Sequence, residues 1–190
     1  MIQPAEPADF QGIPFLSNEK QLTPYEFAMG RAKQMELDKR LGEAGRAIEK
    51  YFGPELQSES FIPAISAMLG NINVETGNTF DFKQKQKGGN GYGLFQFDFH
   101  KPYYRRYLEN KGLEDSVDSQ VKYVYDNIFG DQQKIMGEGN AEKMREALKA
   151  TDPLAISDSF QKIFLRPGKP HQDRRREASR MYSILLTPAK

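Results

Sequence analysis

Glu75 is the residue of this sequence whose placement most invites chemistry. Ile62, Ile65, Met68, Leu69 and Ile72 recur at helical spacing, and the next inward position is 75 or 76. A carboxylate at the edge of an apolar face, in the last turn of its helix, meets two effects. Partial burial disfavours its charged form, and the negative end of the helix dipole disfavours it again. Both push the pKa upward. A carboxylic acid still protonated near neutral pH can hand a proton to a leaving-group oxygen, the general-acid step of glycoside cleavage. The same position is equally open to a structural use, with Glu75 paired to a Lys or Arg or capping a loop. Hydrolysis would also need a second carboxylate, about 5 to 9.5 Å away depending on stereochemistry. Asp81 and Asp98 are the candidates, each equally explicable as a solvent-facing strand residue.

Composition narrows the chemistry to carboxylates by elimination. The 190 residues hold no Cys and only two His, His100 and His171. Disulfide frameworks, Cys-bound zinc, iron–sulfur clusters and thiol catalysis are thereby excluded, and a His-based triad or metal site is not expected. No cofactor and no metal are implied. With 27 Lys+Arg against 26 Asp+Glu, the net charge of +1 supplies no global field for nucleic acid. No run of about 18 apolar residues is present, so no membrane span is expected. Met1 to Phe10 carry Glu6 and Asp9 without a basic stretch leading into an apolar core, which argues against a secretory signal.

The elements that must position Glu75 are mostly helical. Residues 1 to 23, with Pro4, Pro7, Gly12 and Pro14, show no period and are expected to form an arm. Thr23-Pro24 opens a helix that runs to Tyr51, before Gly53-Pro54. It either packs on the body or docks on a larger assembly. A buried helix follows over 62 to 75. Thr79 to Lys83 then alternate, as do Tyr92 to Phe99, around Gly88-Gly89-Asn90-Gly91, which predicts two short strands in a hairpin. From residue 100 the pattern is helical again, with stripes at Tyr103 to Leu108 and Val121 to Phe129. Asn140 is expected to cap one helix and Asp152-Pro153 to open another, and a last helix covers about 173 to 186. The fold class is α+β, mostly helical with one small β-hairpin.

The glycine-rich segment has a bland reading as a turn. It fails as a phosphate loop, since no helix follows and no Gly-Lys-Ser/Thr is present. A third reading lets a polymer approach the backbone at Gly91 and Gly93 while Gln96 offers it an amide. His100 to Tyr107, rich in Lys, Arg and Tyr, could stack on bases or sugars, or form a helix with Tyr inward and Arg outward. Arg174-Arg175-Arg176, flanked by Asp173 and Glu177, fits a solvated helix face better than a nucleic-acid site.

Gly70-Asn71-Ile72-Asn73-Val74-Glu75-Thr76-Gly77, followed by Gly91-Tyr92-Gly93-Leu94-Phe95-Gln96-Phe97, resembles the signature of phage tail lysozymes. Phe160 to Arg166 with Pro167-Gly168, then Arg174, Arg176 and Ala178, resembles the family's closing pattern. The resemblance spans about residues 62 to 183. It implies a lysozyme-like body related to goose-type lysozymes and lytic transglycosylases, cleaving the β-1,4 bond between the amino sugars of bacterial peptidoglycan. On this resemblance Glu75 becomes the general acid, and Tyr92, Gly93, Gln96 and Phe97 line the glycan wall. Phe97 stands where Trp is common and Thr76 where Ser is usual. Residues 58–190 would be the catalytic domain, and 1–57 an arm and helix contacting other virion or tail proteins. The protein would be made in the host cytoplasm and reside in the virion. A soluble endolysin and an inactive structural or ejection protein are the rival expectations, and hydrolase and transglycosylase stay open.

Overall fold

The computed structural model describes residues 24–166 and 172–186, with side chains from residue 35 onward. The arm expected over residues 1–23 lies outside the described residues. The chain divides into two compact units, Met1–Gln34 and Met35–Lys190, and the core lies in the second.

Helix α1 (Pro24–Phe52) ends in a single 3₁₀ turn, Gly53–Glu55. In its second half Ala44, Ile48 and Phe52 are fully buried and join the core of the body. The 57/58 boundary expected from sequence thus separates residues that share one core. Helix α2 (Ser58–Glu75) begins earlier than its apolar stripe, so Pro63 lies inside it. From Pro63 to Asn73 every residue of α2 is buried, on all faces, as befits a central helix. Six helices follow in the second half of the chain: α3 (Lys101–Lys111), α4 (Val117–Ile128), the single-turn α5 (Gln133–Met136), α6 (Glu138–Ala147), α7 (Pro153–Phe160) and α8 (Asp173–Leu186).

Local chemistry sets most of these ends. Gly112, at φ 61°, closes α3 in the left-handed region. Ser116 and Ser119 cap α4 reciprocally, and Asp152 accepts from the Leu154 N–H to start α7, as its Asp-Pro signal predicts. Asn140 does not cap a helix: it lies inside α6 and donates to the Met136 carbonyl at 2.9 Å. After α7 the chain widens into a π turn, Gln161–Leu165.

Helix α2 packs chiefly against α8 and α7. The closest approach is at Gly70, where an added Cβ would lie 2.7 Å from the Ala178 Cα and 2.8 Å from the Glu177 carbonyl carbon. Gly70 is therefore the residue that lets two backbones touch.

The small hairpin is not found: among the described residues there is no strand, and one isolated antiparallel bridge, Lys85 to Tyr92, stands in its place. The alternation that suggested strands has another cause. Asn78, Phe80, Gly93 and Gln96 all have positive φ, so each segment folds into turns rather than a pleat. Leu94, Phe95 and Phe97, assigned to opposite faces by a period of two, are all at most 2% exposed.

Candidate functional site

The last residue of α2 meets the first turn of α8. Arg174 Nη1 lies 2.7 Å from Glu75 Oε1, with the two side chains 4% and 16% exposed. The pairing to an Arg that the sequence left open for Glu75 is thus observed. The guanidinium favours the carboxylate, against the burial and helix dipole that favour the acid.

The motif around Glu75 builds this contact. Asn71 accepts from Arg174 Nη1 at 3.4 Å, and its Nδ2 donates to Ser157 Oγ at 3.0 Å and to the Ala67 carbonyl at 2.8 Å, tying α2 to α7 and α8. Asn73 Nδ2 donates to Glu177 Oε2 at 2.9 Å, and Glu177 also receives Arg180 at 2.7 Å. Asn73 Oδ1 and Arg174 Nε are buried without a hydrogen-bond partner among the described residues. Thr76 is 1% exposed. Its hydroxyl donates to the Ile72 carbonyl at 2.8 Å and accepts from the Phe80 N–H at 3.1 Å. The hydroxyl at this position thus shapes the turn after Glu75.

That turn is linked to the glycine-rich loop. Thr79 Oγ1 donates to Thr76 O at 2.9 Å and approaches Gln84 Oε1 at 3.3 Å. The Gln84 carbonyl in turn accepts from Gly93 N–H at 2.8 Å and from Gln96 Nε2 at 3.3 Å. Gln96 Nε2 also donates to the Gly93 carbonyl at 2.8 Å, so the amide expected to face a glycan holds its own loop. Gln120 Nε2 would stand 2.7 Å from a Cβ at Gly93, where φ is 77°. Glycine is required there twice over, by conformation and by contact.

Gln120, fully buried, accepts from the Leu94 N–H at 2.8 Å and donates to Phe82 O at 2.7 Å and Asp115 Oδ1 at 3.0 Å. Asp115 also accepts the hydroxyls of Tyr92 and, at 2.7 Å, Tyr104. Burial first, then the hydrogen bond to Asp115, push the Tyr92 phenol up, so it remains a donor. Its half-buried ring lies beneath Lys101 Nζ, 6.0 Å from the centroid.

Phe97 is placed in the core. At 2% exposure it packs against Phe95, Tyr104 and Tyr123, with ring centroids 5.0 to 5.7 Å away. The two candidate second carboxylates occupy different surroundings. Asp81 Oδ1 accepts from the Lys83 N–H at 2.9 Å, and its Oδ2 stands 4.0 Å from Arg40 of α1. Asp98 is exposed and lines a cavity of about 100 Å³ with Gln96, Phe99, His100, Phe164 and Arg166. In the segment 100 to 107, Tyr104 and Tyr107 point inward while Arg105 and Arg106 are exposed, as the helix reading expects, but Tyr103, placed on the same stripe, is exposed.

The family model of the phage tail lysozymes matches residues 61–185, well over half of the chain. The chain belongs to the phage tail lysozyme family. Comparison with curated proteins finds no match. Membership points to a phage peptidoglycan-degrading function and to glycosidase activity. Among the described residues no helix is long and apolar enough to cross a membrane, and no His, Asp and Glu gather as a metal site would need.

Three residues of this tail lysozyme hold these contacts against or beyond the sequence expectation: Asp115, Gln120 and Arg174, which the charge pattern places with Arg175 and Arg176 on a solvated helix face but which is 3% exposed, only Arg175 and Arg176 facing solvent. Two carried a signal. Arg174 falls one turn before Ala178 and two before Met181, on the apolar stripe of α8, and Gln120 falls one turn before Val124 on that of α4.

Proposed function

We propose that this chain cleaves the β-1,4 bond between peptidoglycan amino sugars, as a virion-associated enzyme opening the wall locally during phage genome delivery. The observation that carries this reading is the coupling of Glu75, at the end of a buried helix, to the glycine-rich Gln96 loop through Thr76, Thr79 and Gln84. That coupling ties the turn after Glu75 to the loop that carries Tyr92 and Gln96, and Gly91 and Gly93 let that loop close on Gln86, Gln96 and Gln120.

Glu75 donates a proton to the glycosidic oxygen as the bond from the anomeric carbon breaks. The carboxylate left behind then takes a proton from the group that attacks that carbon. Water gives a muramidase; the sugar's own C6 hydroxyl gives a 1,6-anhydro end and needs no second carboxylate. Asp81 and Asp98 are the candidates to stabilise the charge in the first route, and Tyr92, Gly93 and Gln96 form or support the glycan wall, with Phe97 beneath it. Arg174 orients the Glu75 carboxyl, and glycan that excludes water strengthens the burial favouring its acid form. Residues 1–34, the first of the two compact units, are the proposed attachment to virion proteins, shorter than the 1–57 expected from sequence because Ala44, Ile48 and Phe52 belong to the core.

The decisive test is clearing of a purified cell-wall suspension. Glu75→Gln should abolish it, and equal clearing by parent and variant would overturn the assignment. Mass spectrometry of released muropeptides then reads reducing or anhydro ends. A second reading is favoured by the Arg174–Glu75 ion pair itself: a lysozyme-like structural protein in which that pair only joins two helices. Clearing by neither parent nor variant selects it.

A further inference from the structure

A groove of about 350 Å³, within the range of small-ligand sites, lies between the second half of α1 on one side and Phe82 with the start of α4 on the other. Its α1 wall begins one turn beyond Arg40, which reaches the Thr79 carbonyl at 3.5 Å and stands 4.0 Å from Asp81, both in the segment that follows Glu75. The far end is closed by Lys50, which donates to Asp118 at 2.7 Å while the Tyr51 hydroxyl takes the other carboxylate oxygen at 2.6 Å. From Arg40 to Lys50 the helix rises about 15 Å.

Two charges inside the groove are left over. Opposite charges three positions apart on a helix are neighbours and ordinarily pair. Glu43 and Arg46 are so placed and do not: neither side chain makes a hydrogen bond or ion pair among the described residues. Beside them Ala47, with Val117 and the half-buried Phe82 across the groove, supplies apolar surface. The Phe82 backbone is fixed, since its carbonyl accepts from Gln120 at 2.7 Å. Helix α1 lies outside residues 61–185, so this wall of the groove is not one that the family match supplies.

We propose that this groove takes the peptide stem of peptidoglycan, with a stem carboxylate on Arg46, the ammonium of its diamino acid on Glu43, and alanine methyls against Phe82, Ala47 and Val117. A guanidinium and a carboxylate one turn apart suit a ligand that carries both charges, and a glycan without stems has no ammonium to meet Glu43. A four-residue stem extends to about 13–14 Å, close to the length of the α1 wall. The stem hangs from the glycan that Glu75 would cut, and the groove opens beside the segment that follows Glu75. The inference rests on the peptidoglycan reading and narrows it: strands with uncross-linked stems are preferred, because cross-linking consumes the ammonium.

Binding of a free stem tetrapeptide, L-alanyl-γ-D-glutamyl-L-lysyl-D-alanine, to the full chain tests this without any cleavage. Titration should move the backbone amide resonances of Ala47, Phe82 and Val117 saturably, and the same spectra report that each variant is folded. Acetylating the lysyl ammonium should weaken binding about two- to fivefold, the worth of an exposed ion pair. Glu43→Gln should weaken the unmodified peptide by the same factor and leave the acetylated one unchanged. Arg46→Gln should weaken the unmodified peptide and lose its effect once the peptide carboxylates are amidated. No saturable shift at these residues, equal affinity for the unmodified and acetylated peptides, or variants that bind as the parent does would each overturn the groove assignment. Wall clearing without stem binding overturns this inference alone; stem binding without clearing overturns the enzymatic reading and leaves the groove.

Discussion

Gly70 is where the geometry of the site can be broken without touching Glu75. A Cβ there lies 2.7 Å from the Ala178 Cα and 2.8 Å from the Glu177 carbonyl carbon, with the Ala178 nitrogen closer still. Unbonded carbons settle near ~3.5–4.0 Å, so α8 must withdraw from α2 by about 1 Å. All the obstructing atoms are backbone, and no rotamer change relieves them. Overpacking of this kind costs about 1–3 kcal/mol, and rigid neighbours place Gly70→Ala near the upper end. Better helix propensity offsets about 1 kcal/mol. A net loss of about 2 kcal/mol in a unit of this size lowers Tm by roughly 4–8 °C. Arg174 rides on the same helix one turn away, so its 2.7 Å contact to Glu75 lengthens with the shift. Misplacement of about 1 Å at a reacting group can reduce turnover by up to ~10²-fold. The assay is a thermal melt beside wall clearing, for Gly70→Ala and for Gly70→Ala combined with Ala178→Gly. The second change removes a Cβ that is not among the clashing atoms, so it should restore neither quantity. A Gly70→Ala protein melting at or above the parent, or rescue by Ala178→Gly, would refute the close packing of these helices.

Arg174→Met should destabilise by about 1–3 kcal/mol in chemical denaturation, since it removes the buried guanidinium's bonds to Glu75 and Asn71; unchanged stability would show the ion pair to be dispensable. Gln120→Leu strands the Leu94 N–H and the Phe82 carbonyl and should cost about 2–5 kcal/mol by the same measurement; unchanged stability would contradict its role in holding the glycine-rich loop. His100, pushed down to about 4 by burial, binds its proton more weakly in the folded state than in the unfolded chain at about 6.5. Stability from this residue is therefore full above pH ~6.5 and falls as pH drops towards 4, by about 3 kcal/mol. His100→Phe should flatten that slope in denaturation curves between pH 7 and 4, and parallel slopes would refute it. Removing residues 1–34 should abolish incorporation into particles while sparing clearing; particles that still carry the shortened protein would sink the attachment proposal. Removing 1–57 should instead unfold the body, because Ala44, Ile48 and Phe52 go with it.

What was legible in the sequence is what one element settles by itself. The apolar stripe from Ile62 to Ile72 locates α2 and puts Glu75 at its end, because a helical period needs no partner to be seen. Asp152-Pro153 marks the start of α7 for the same local reason. The hairpin shows where a local rule misleads: alternation in Tyr92 to Phe99 arises from turns, and positive φ at the non-glycine residues Phe80 and Gln96 has no reliable signature in residue type. Phe97, matched to a glycan wall by resemblance, packs on Tyr104 of α3 and Tyr123 of α4, so its burial depends on packing that no single segment encodes.

The protonation of Glu75 belongs to that second kind of question. Read from α2 alone, burial and the helix dipole both favour the acid, and a general acid follows. The residue that opposes them sits 99 positions later, and reaches Glu75 only because Gly70 lets α8 lie backbone to backbone on α2. The Gly-Asn run of the motif therefore bears on the carboxyl's charge balance, through Gly70 at the crossing and Asn71 on the guanidinium. Arg174→Gln separates the influences: it keeps a hydrogen-bond donor near Glu75 and removes the charge. The alkaline limit of wall clearing should then move to higher pH, since the acid form persists further without the guanidinium. An alkaline limit unmoved by Arg174→Gln would mean that Glu75 does not supply the proton.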